Sequence, residues 1–187
     1  HSPLKIKLKK DAEAKHFAQY RYHPDARRQL QDKINEMLQQ GVIEPTQNLT
    51  WVSPLVAVRK GIKRSRQHMD QNKETAELRP CIDLRGLNGN CIFPRNPIPS
   101  VQAVIDVIAE KQAKVFTCLD LKAGYFQIPL HQDSRHLCGF HFNNQAYRFR
   151  VAPQGLISSP SHFTKVISHI LRPYLGNCCA AYLDDIV

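Results

Sequence analysis

Three aspartates stand in sequence surroundings where a carboxylate is costly. Asp120 interrupts the apolar run at 115–121, and Asp184 and Asp185 directly follow the small apolar residues at 178–183. A carboxylate among apolar strand residues costs free energy unless it is paired or bound to a metal. If these segments are neighbouring strands, three carboxylates meet at one end of a sheet, where their repulsion favours divalent cations.

Magnesium is the cation that such a site suits. Carboxylate oxygens are hard ligands, and Mg²⁺ held by few of them keeps waters and takes further ligands from phosphates. This is the ligand set for two-metal phosphoryl or nucleotidyl transfer. An Asp-Asp pair alone is most often an exposed turn. The surrounding sequence must therefore distinguish a metal site from such a turn.

The elements predicted around these aspartates favour an α+β fold. Helices are predicted to begin at Pro24, Ser100 and Ser158 or Ser159, because apolar residues follow each of them at helical spacing. In the second helix Val101, Val104, Ile105 and Ile108 share one face. No regular strand–helix–strand alternation is present. The predicted strands are 52–59, 78–84, 115–121, 137–142, 146–151 and 178–183.

Three local features qualify these strands. Pro54 and Pro80 imply edge positions, because proline donates no ladder hydrogen bond. The strands at 137–142 and 146–151 form a predicted hairpin over residues 143–145, and the polar, basic stretch 61–77 is a predicted hairpin tip. The two residues after Asp185 are too few to complete a hairpin, so we expect Asp184 and Asp185 to be loosely held.

The charge distribution favours a polyanionic partner. The chain of 187 residues has 26 Lys and Arg against 16 Asp and Glu, and 16 of these basic residues lie within residues 1–79. Nucleic acid is the expected partner rather than a membrane surface. A solvated basic loop is the alternative.

Other composition signals predict an intracellular protein, cytoplasmic or nuclear. No apolar run reaches the roughly 18 residues of a membrane span, and the N-terminus lacks a secretory apolar region. The 6 cysteines show no CxxC pair, which predicts reduced thiols. Cys138 and His141 are a candidate zinc half-site, but the alternation of LCGFHF explains both as strand positions.

Five ordered segments resemble the reverse transcriptases of retroviruses and LTR retrotransposons. They are QQGVIEPTQNLTWVSPLVAVRK at 39–60, RPCIDLRGLN at 79–88, CLDLKAGYFQIPL at 118–130, VAPQGLISSPSHF at 151–163 and AYLDDIV at 181–187. The helix before GVIEP and the LDLKAGYFQI segment look most like a Ty3/gypsy-type element. PQG is closer to retroviral usage, since gypsy-type elements commonly have Phe at the Gln154 position, so the lineage stays open.

The resemblance implies a right-hand polymerase fold of fingers plus palm, truncated before the thumb. It assigns residues 1–95 and 128–158 to the fingers, and residues 96–127 and 159–187 to the palm. Its implied catalytic and metal-binding carboxylates are Asp120, Asp184 and Asp185, with the Leu121 carbonyl as a further ligand. The implied cofactors are two Mg²⁺ ions, for which Mn²⁺ is the expected substitute.

The resemblance also implies the contacts with deoxynucleoside triphosphate (dNTP). Backbone N–H groups of Ala123 and Gly124 would meet the phosphates, although Gly124 is equally compatible with a simple turn. Tyr125 would exclude the ribose 2′-hydroxyl, with a core aromatic as the alternative. Gln154 would contact the sugar. Arg79 and a finger-tip lysine would contact the triphosphate, the lysine being Lys60 or, with the longer basic stretch here, Lys63 or Lys73.

The template would meet a further set of residues, and template affinity would come mostly from phosphate contacts. For Asp83 and Arg85 the alternative is a structural pair with each other, because side chains two apart on a strand share a face. The implied template-binding residues are Asp83, Arg85, Asn88 and Gly155.

The predicted function is DNA synthesis from dNTPs on RNA or DNA templates. A fragment without a thumb is expected to extend primers poorly or not at all. Self-association through the unpaired edge of strand 178–183 is a further expectation. A retroelement-derived nucleic-acid-binding or interaction module without activity is the first alternative, and another nucleotidyl transferase, such as an RNA-templated RNA polymerase, is the second. The retention of Tyr125 and Gln154 beside the three aspartates favours the DNA polymerase.

Overall fold

Short helices and strands make up the part of the chain that the structure, a computed structural model, describes: residues 2–59, 77–93 and 100–187. The helices are α1 (Pro24–Gln39), α2 (Arg85–Asn88), α3 (Val101–Glu110), α4 (Gln132–Arg135) and α5 (Ser159–Ile170), and a 3₁₀ turn covers Gly124–Gln127. The strands are β1 (Ile43–Pro45), β2 (Leu55–Arg59), β3 (Leu78–Ile82), β4 (Leu119–Asp120), β5 (Gly139–Phe142), β6 (Gln145–Phe149), β7 (Ala181–Tyr182) and β8 (Asp185–Ile186). The predicted α+β class is confirmed.

The strands of this part of the chain form three small antiparallel sheets. Their orders are β1-β6-β5, β2-β3 and β4-β8-β7. Both strands of the β2-β3 sheet are edges, which explains how Pro80 lies within β3, opposite Ala57. The predicted hairpin tip at 61–77 lies almost wholly outside the described residues. None of the described helices is long and apolar enough to cross a lipid bilayer.

The predicted start of α3 is confirmed by its cap. The Ser100 hydroxyl accepts a hydrogen bond from the backbone N–H of Ala103 at 3.1 Å, which satisfies one free donor of the first turn. Proline follows the α5 N-cap Ser158 within two residues, as the sequence predicted. Ser158 makes no capping hydrogen bond through its side chain. Both helix starts could be predicted because the preferences of serine and proline at a helix start are local.

The β5-β6 hairpin is tighter than the sequence predicted. Asn143 and Asn144 have φ angles of 47° and 59°, and Phe142 pairs directly with Gln145. Two central residues with positive φ define the type I′ turn, whose twist matches that of the flanking strands. Gln145 is therefore the first residue of β6, and its prediction as a turn residue is wrong.

A core of apolar side chains joins α1 to the β1-β6-β5 sheet. Phe140 is 1% exposed, and its ring centroid lies 5.5 Å from that of Tyr147 and 5.8 Å from that of Phe149. Leu30 and Ile34, one turn apart on α1, are fully buried in the same core. This core fixes α1 and the sheet, and β6 of that sheet leads into the loop before α5.

The region from α3 to β4 is much less buried. No residue of α3 is buried, and Val101 and Ile105 of its predicted apolar face are about half exposed. Val115 is 84% exposed. The strand predicted over 115–121 is reduced to Leu119–Asp120, because only these two residues pair with β8. The apolar pattern was therefore a poor guide to strand length and burial here.

The β7-β8 hairpin corrects the expectation that the strand before Asp184 lacks a return partner. Tyr182 pairs with Asp185 and Ala181 with Ile186. Ala180 and Val187 exchange backbone hydrogen bonds of 2.8 and 2.9 Å. A two-residue turn is enough to close the hairpin, so Val187 already completes the third pair. Asp184 and Asp185 are held by this ladder, and the β7 edge facing β8 is paired.

We expect Phe140→Ala to lower the free energy of unfolding by roughly 3–5 kcal/mol, because it removes a fully buried ring and leaves a cavity. Urea unfolding followed by circular dichroism measures the change. Val115→Ala is the control, and its effect should stay below about 0.5 kcal/mol at so exposed a position. Equal effects of the two substitutions would contradict the assignment of the core.

Candidate active site

Asp120 and Asp185 lie directly opposite each other on paired strands. β4 and β8 are antiparallel, and the register places Asp120 against Asp185 and Leu119 against Ile186. Residues opposite each other in such a pair project to the same face, with Cβ atoms roughly 4.5–5.5 Å apart. The expectation that Asp120 and the Asp-Asp turn lie on adjacent strands is confirmed. Two like charges at this spacing destabilise the pair, which is the condition that a bound cation relieves.

Asp184 occupies the tip of the same hairpin. The N–H of Leu121 donates a hydrogen bond to the Asp184 carbonyl at 3.2 Å, which fastens the tip to the end of β4. Leu183 has a φ of 54°, a left-handed conformation that is uncommon for leucine and costs free energy. The surrounding ladder must therefore impose this conformation, and it sets the position of Asp184.

Tyr125 faces Asp184 from the 3₁₀ turn after β4. Burial raises the pKa of the Tyr125 hydroxyl, and the negative charge of Asp184 raises it further. The Tyr125 ring also packs against Phe163 of α5, with 5.2 Å between the ring centroids. Tyr125 is thus both partly buried and next to an acidic site residue, so its two sequence interpretations are compatible.

The turn that carries Ala123 and Gly124 has packing constraints of its own. Ala123 has a φ of 52°, and the Gly124 N–H donates to the Leu121 carbonyl at 3.2 Å. A Cβ on Gly124 would lie 2.8 Å from the Phe163 ring. The glycine is therefore explained by its contact with α5. Its N–H and the Leu121 carbonyl already share one hydrogen bond with each other.

Asn88 connects α2 to the loop that carries Gln154 and Gly155. Its amide donates to the Gly155 carbonyl at 2.8 Å and accepts from the Ile157 N–H at 3.0 Å. Gly155 has a φ of 85°, a conformation that side chains rarely adopt. Both ends of the Asn88 amide thus hold the loop, a role that the sequence did not predict because the two segments are far apart in the chain.

A cavity of about 420 Å³ brings three of the predicted residues together. Asn88, Tyr125 and Gly155 all line it. Phe93 and Ser161 also line it, although no motif in the sequence predicts a role for them. The buried Ser161 hydroxyl has no hydrogen-bond partner within the described part of the chain. The only sequence signal for Ser161 was its place in the SSPS segment, where serine also reads as a helix start.

Asp83 and Arg85 form the structural pair that the sequence allowed, but not on a strand as predicted, because β3 ends at Ile82 and Arg85 is the first residue of α2. The Arg85 Nε donates to both carboxylate oxygens of Asp83, at 2.9 and 3.1 Å. These hydrogen bonds with the guanidinium hold the pKa of Asp83 below its ordinary value. The Arg85 side chain remains 88% exposed, so the pair does not withdraw the guanidinium from solvent.

The remaining predicted residues lie apart or outside the described ranges. Arg79 is exposed on β3 opposite Val58, and Gln154 is exposed next to Gly155. Neither has a side-chain hydrogen bond among the described residues. Of the three finger-tip lysines, none can be placed: Lys60, Lys63 and Lys73 lie outside the described residues.

The chemical type of the ligand atoms in this site limits which metal it could hold. Within residues 2–59, 77–93 and 100–187, no three His, Cys, Asp or Glu side chains gather closely enough to hold a metal ion. Two opposed carboxylates with a third on the adjoining turn are hard oxygen donors that leave several coordination positions for substrate phosphates and water, as Mg²⁺ prefers. The zinc alternative gains no support, because Cys138 is fully buried and burial raises its pKa.

Comparison with known proteins identifies the family. A sequence profile described as reverse transcriptase (RNA-dependent DNA polymerase) matches residues 28–187. The chain belongs to this reverse transcriptase family. The match begins within α1 and includes all five segments that carry the reverse transcriptase motifs, from residue 39 to residue 187. The predicted resemblance is confirmed.

Relatives and structural neighbours agree with this assignment. The chain is 32% identical over 168 residues to the retrovirus-related Pol polyprotein from transposon opus of Drosophila melanogaster, and 33% identical over 158 residues to that from transposon gypsy. These matches cover 90% and 84% of the chain. The chain spans only 16% and 14% of the two polyproteins.

The fold of this reverse transcriptase chain is similar to that of solved foamy virus proteins. It matches the prototype foamy virus protease-reverse transcriptase with a TM-score of 0.74 and 24% identity, over 96% of this chain and 22% of that one. It matches the foamy viral protease-reverse transcriptase in complex with an RNA/DNA hybrid with a TM-score of 0.71 and 19% identity, over 97% and 23%. At these identities the likeness shows the fold.

We expect Asp184→Asn to lower the pKa of Tyr125, because the substitution removes the negative charge and leaves the burial in place. The raised pKa favours the neutral phenol, so its contribution to stability is complete below about pH 10 and is lost as the pH rises through the folded-state pKa. Phenolate absorbance measures the titration when each protein is compared with its Tyr125→Phe counterpart. Asp106→Asn on α3 is the control. The same Tyr125 pKa in wild type, Asp184→Asn and Asp106→Asn would show that the charge of Asp184 does not affect Tyr125.

Proposed function

We propose that this chain supplies the fingers and much of the palm of a retroelement reverse transcriptase that copies RNA or DNA templates into DNA. The observation that carries the proposal is the register that sets Asp120 opposite Asp185, with Asp184 on the adjoining turn. Family membership supports RNA-directed DNA synthesis as the general activity.

Two Mg²⁺ ions would lie between the hairpin tip and the end of β4. Asp120, Asp184 and Asp185 would hold them, with the second lone pair of the Leu121 carbonyl as a further donor. When bound, such ions lower the pKa of a primer 3′-hydroxyl and neutralise the triphosphate and its pyrophosphate leaving group. The protein's part is to position the backbone that carries the carboxylates, to which the β7-β8 ladder and the Leu121–Asp184 hydrogen bond contribute.

The incoming dNTP would lie between the fingers and the Ala123 turn. Arg79, which is exposed on β3, would meet the triphosphate as a planar cation, and Lys60 is the proposed finger-tip partner. The Tyr125 ring would lie beside the 2′-position of the sugar and limit the space there. Its packing against the Phe163 ring would hold it in that position. Gln154 would contact the same sugar from the loop that Asn88 holds.

The template would run past α2 and the Gly155 loop. Arg85 and Gly155 are exposed there, while Asn88 and Asp83 position the loop and the guanidinium. One solved neighbour is described in complex with double-stranded DNA and another with an RNA/DNA hybrid, which supports nucleic acid as the partner class. We also propose intracellular action and self-association, the latter through the β7 edge that faces away from β8 and ends this sheet.

One observation is also compatible with the alternative function, an inactive nucleic-acid-binding module. The described side chains do not form a three-ligand metal cluster by themselves. An active polymerase would complete the site with substrate phosphates, whereas a binding module would not need to. Metal binding in the presence and absence of dNTP therefore separates the two functions.

We expect the chain to bind Mn²⁺, used as a paramagnetic probe, much more tightly with dTTP than without it. Asp120→Asn and Asp185→Asn should each abolish this gain, measured by electron paramagnetic resonance, whereas Asp106→Asn should retain it. Primer extension is measured with the chain joined to the thumb segment of a gypsy-type relative. There the same two substitutions should cost more than about 100-fold in rate, since bound metal contributes several kcal/mol. Nucleic-acid binding without dTTP-dependent metal binding would favour the inactive module.

We expect Tyr125→Ala to raise the use of ribonucleotides relative to deoxyribonucleotides in the same extension assay, because it removes the ring beside the sugar. Tyr125→Phe is the matched control, and it should keep the wild-type preference because the ring, not the hydroxyl, excludes the 2′-oxygen. Single-nucleotide incorporation of UTP and dTTP measures the ratio. An unchanged ratio in Tyr125→Ala would leave Tyr125 with only its packing role on Phe163.

A further inference from the structure

Two adjacent cysteines lie shortly before the hairpin that carries Asp184 and Asp185. Cys178 and Cys179 are the only neighbouring cysteines among the 6 in the sequence, and both are free thiols in the structure. Cys178 is exposed and Cys179 is half-buried, so reagents in solution can reach the pair. The pair lies outside the set of residues proposed to bind metal, dNTP or template.

Backbone hydrogen bonds hold the two cysteines in one tight turn. The N–H groups of Cys178 and Cys179 both donate to the Tyr174 carbonyl, at 3.1 and 3.2 Å. The Gly176 N–H donates to the Cys179 carbonyl at 3.0 Å, and Gly176 has a φ of 77°, a left-handed conformation that glycine adopts readily. The next residue, Ala180, is the first in the ladder of the β7-β8 hairpin. The backbone of the pair is therefore fixed on both sides.

Both cysteines line one cavity of about 350 Å³. Adjacent side chains of a straight strand point to opposite faces, so the turn is what brings both residues to the same cavity. Burial raises the pKa of the Cys179 thiol, and the neighbouring Cys178 raises it further, which agrees with two sulfurs close together. The cavity is also lined by apolar residues from the end of α3 and the segment before β4, namely Val107, Ile108, Val115 and Phe116.

A direct disulfide does not suit these two cysteines. Adjacent Cα atoms are about 3.8 Å apart across a trans peptide bond. Disulfides ordinarily span about 4.4–6.8 Å between Cα atoms, and deviations from this geometry store strain. The described peptide bonds are all trans. An S–S bond within the pair would therefore be strained, whereas an atom inserted between the two sulfurs lengthens the bridge and relieves that strain.

A trivalent arsenical supplies such a bridging atom and needs only two thiols. Structural zinc takes four ligands, and within residues 2–59, 77–93 and 100–187 no three His, Cys, Asp or Glu side chains gather closely enough to hold a metal ion. An arsenical R–As=O reacts with two thiols without any redox change. Two S–H bonds and the As=O bond break, two As–S bonds form, and one water molecule leaves with both protons.

We infer that Cys178 and Cys179 form a covalent binding site for monosubstituted trivalent arsenicals, whose apolar substituent occupies the adjoining cavity. The turn provides the two thiols, and the cavity provides apolar surface for the substituent. An aromatic substituent therefore binds better than a methyl group, because it buries more apolar area. The inference goes beyond DNA synthesis and does not depend on it, since neither cysteine belongs to the proposed polymerase site.

Phenylarsine oxide is the probe, and mass spectrometry of the intact native chain measures its capture. Wild type should gain one phenylarsine group less two hydrogens. Cys178→Ser and Cys179→Ser should each bind the probe more than about 100-fold more weakly, because the second As–S bond forms within the molecule. Cys118→Ser removes another exposed cysteine and should bind as wild type does.

Release of the probe tests the two-sulfur bridge on wild type alone, so it does not depend on how any variant folds. Ethanedithiol should remove the phenylarsine group, because it offers two thiols in one molecule. Mercaptoethanol at the same thiol concentration should leave the group in place, because it replaces only one As–S bond at a time.

Two further measurements separate a site built by the fold from the reactivity of any adjacent thiols. Phenylarsine oxide should raise the unfolding temperature of wild type, because a ligand that prefers the native state stabilises it. Phe116→Ala should lower the preference for phenylarsine oxide over methylarsine oxide by about three- to tenfold, because it removes apolar surface from the cavity. Ile170→Ala is the matched control, since Ile170 is similarly exposed but does not line the cavity.

Several results would overturn the inference. They are capture by Cys178→Ser or Cys179→Ser as strong as by wild type, complete release by mercaptoethanol, or an unfolding temperature that the probe leaves unchanged or lowers. The same phenyl preference in Phe116→Ala as in wild type would reject the part of the inference that places the substituent in the cavity. None of these measurements uses nucleotide incorporation, so none of them depends on the proposed polymerase activity.

Discussion

The site depends on one electrostatic constraint, the juxtaposition of Asp120 and Asp185 across a two-residue strand pair. Each of β4, β7 and β8 contributes only two residues to the sheet, so little backbone hydrogen bonding offsets the repulsion of the carboxylates. The sheet tolerates this because neighbouring groups fix its ends. The Leu121–Asp184 hydrogen bond joins the hairpin tip to β4, and the Ala180–Val187 pair extends the ladder away from the charges.

Packing behind the site comes from α5. Phe163 is 3% exposed, supports the Tyr125 ring and leaves no room for a side chain at Gly124. The same helix begins just after the loop that Asn88 holds. α5 therefore connects the turn at Gly124 and Tyr125 to the loop that Asn88 holds, and a change in the packing at one of these contacts is expected to affect the other. The α3 face and residues 115–119, by contrast, leave much apolar surface exposed.

Sequence patterns succeeded where the determining contacts are local. The Ser100 cap, the start of α5 and the edge position of Pro80 all follow from groups within a few residues, and each is found. Patterns failed where length and burial depend on a distant partner. The apolar run at 115–121 predicted a full strand, yet only Leu119 and Asp120 pair, because β8 offers two residues. Gln145 was assigned to a turn because residue type does not distinguish two-residue from three-residue turns.

The order of the motifs alone indicated the family and the residues proposed to carry the chemistry, since motif order and the spacing from Asp120 to Tyr125 are properties of the chain itself. The cost of burying carboxylates, expected from the apolar residues around them, does not arise in the folded chain, because Asp120 and Asp185 are exposed to solvent. Tertiary structure decided how those residues meet. The register of Asp120 with Asp185 spans more than sixty residues, and the Asn88 amide reaches the Gly155 loop 67 residues away. Periodicity specifies which face a residue occupies, but strand pairing and side-chain packing decide its neighbour, because those energies exist only once distant segments have come together.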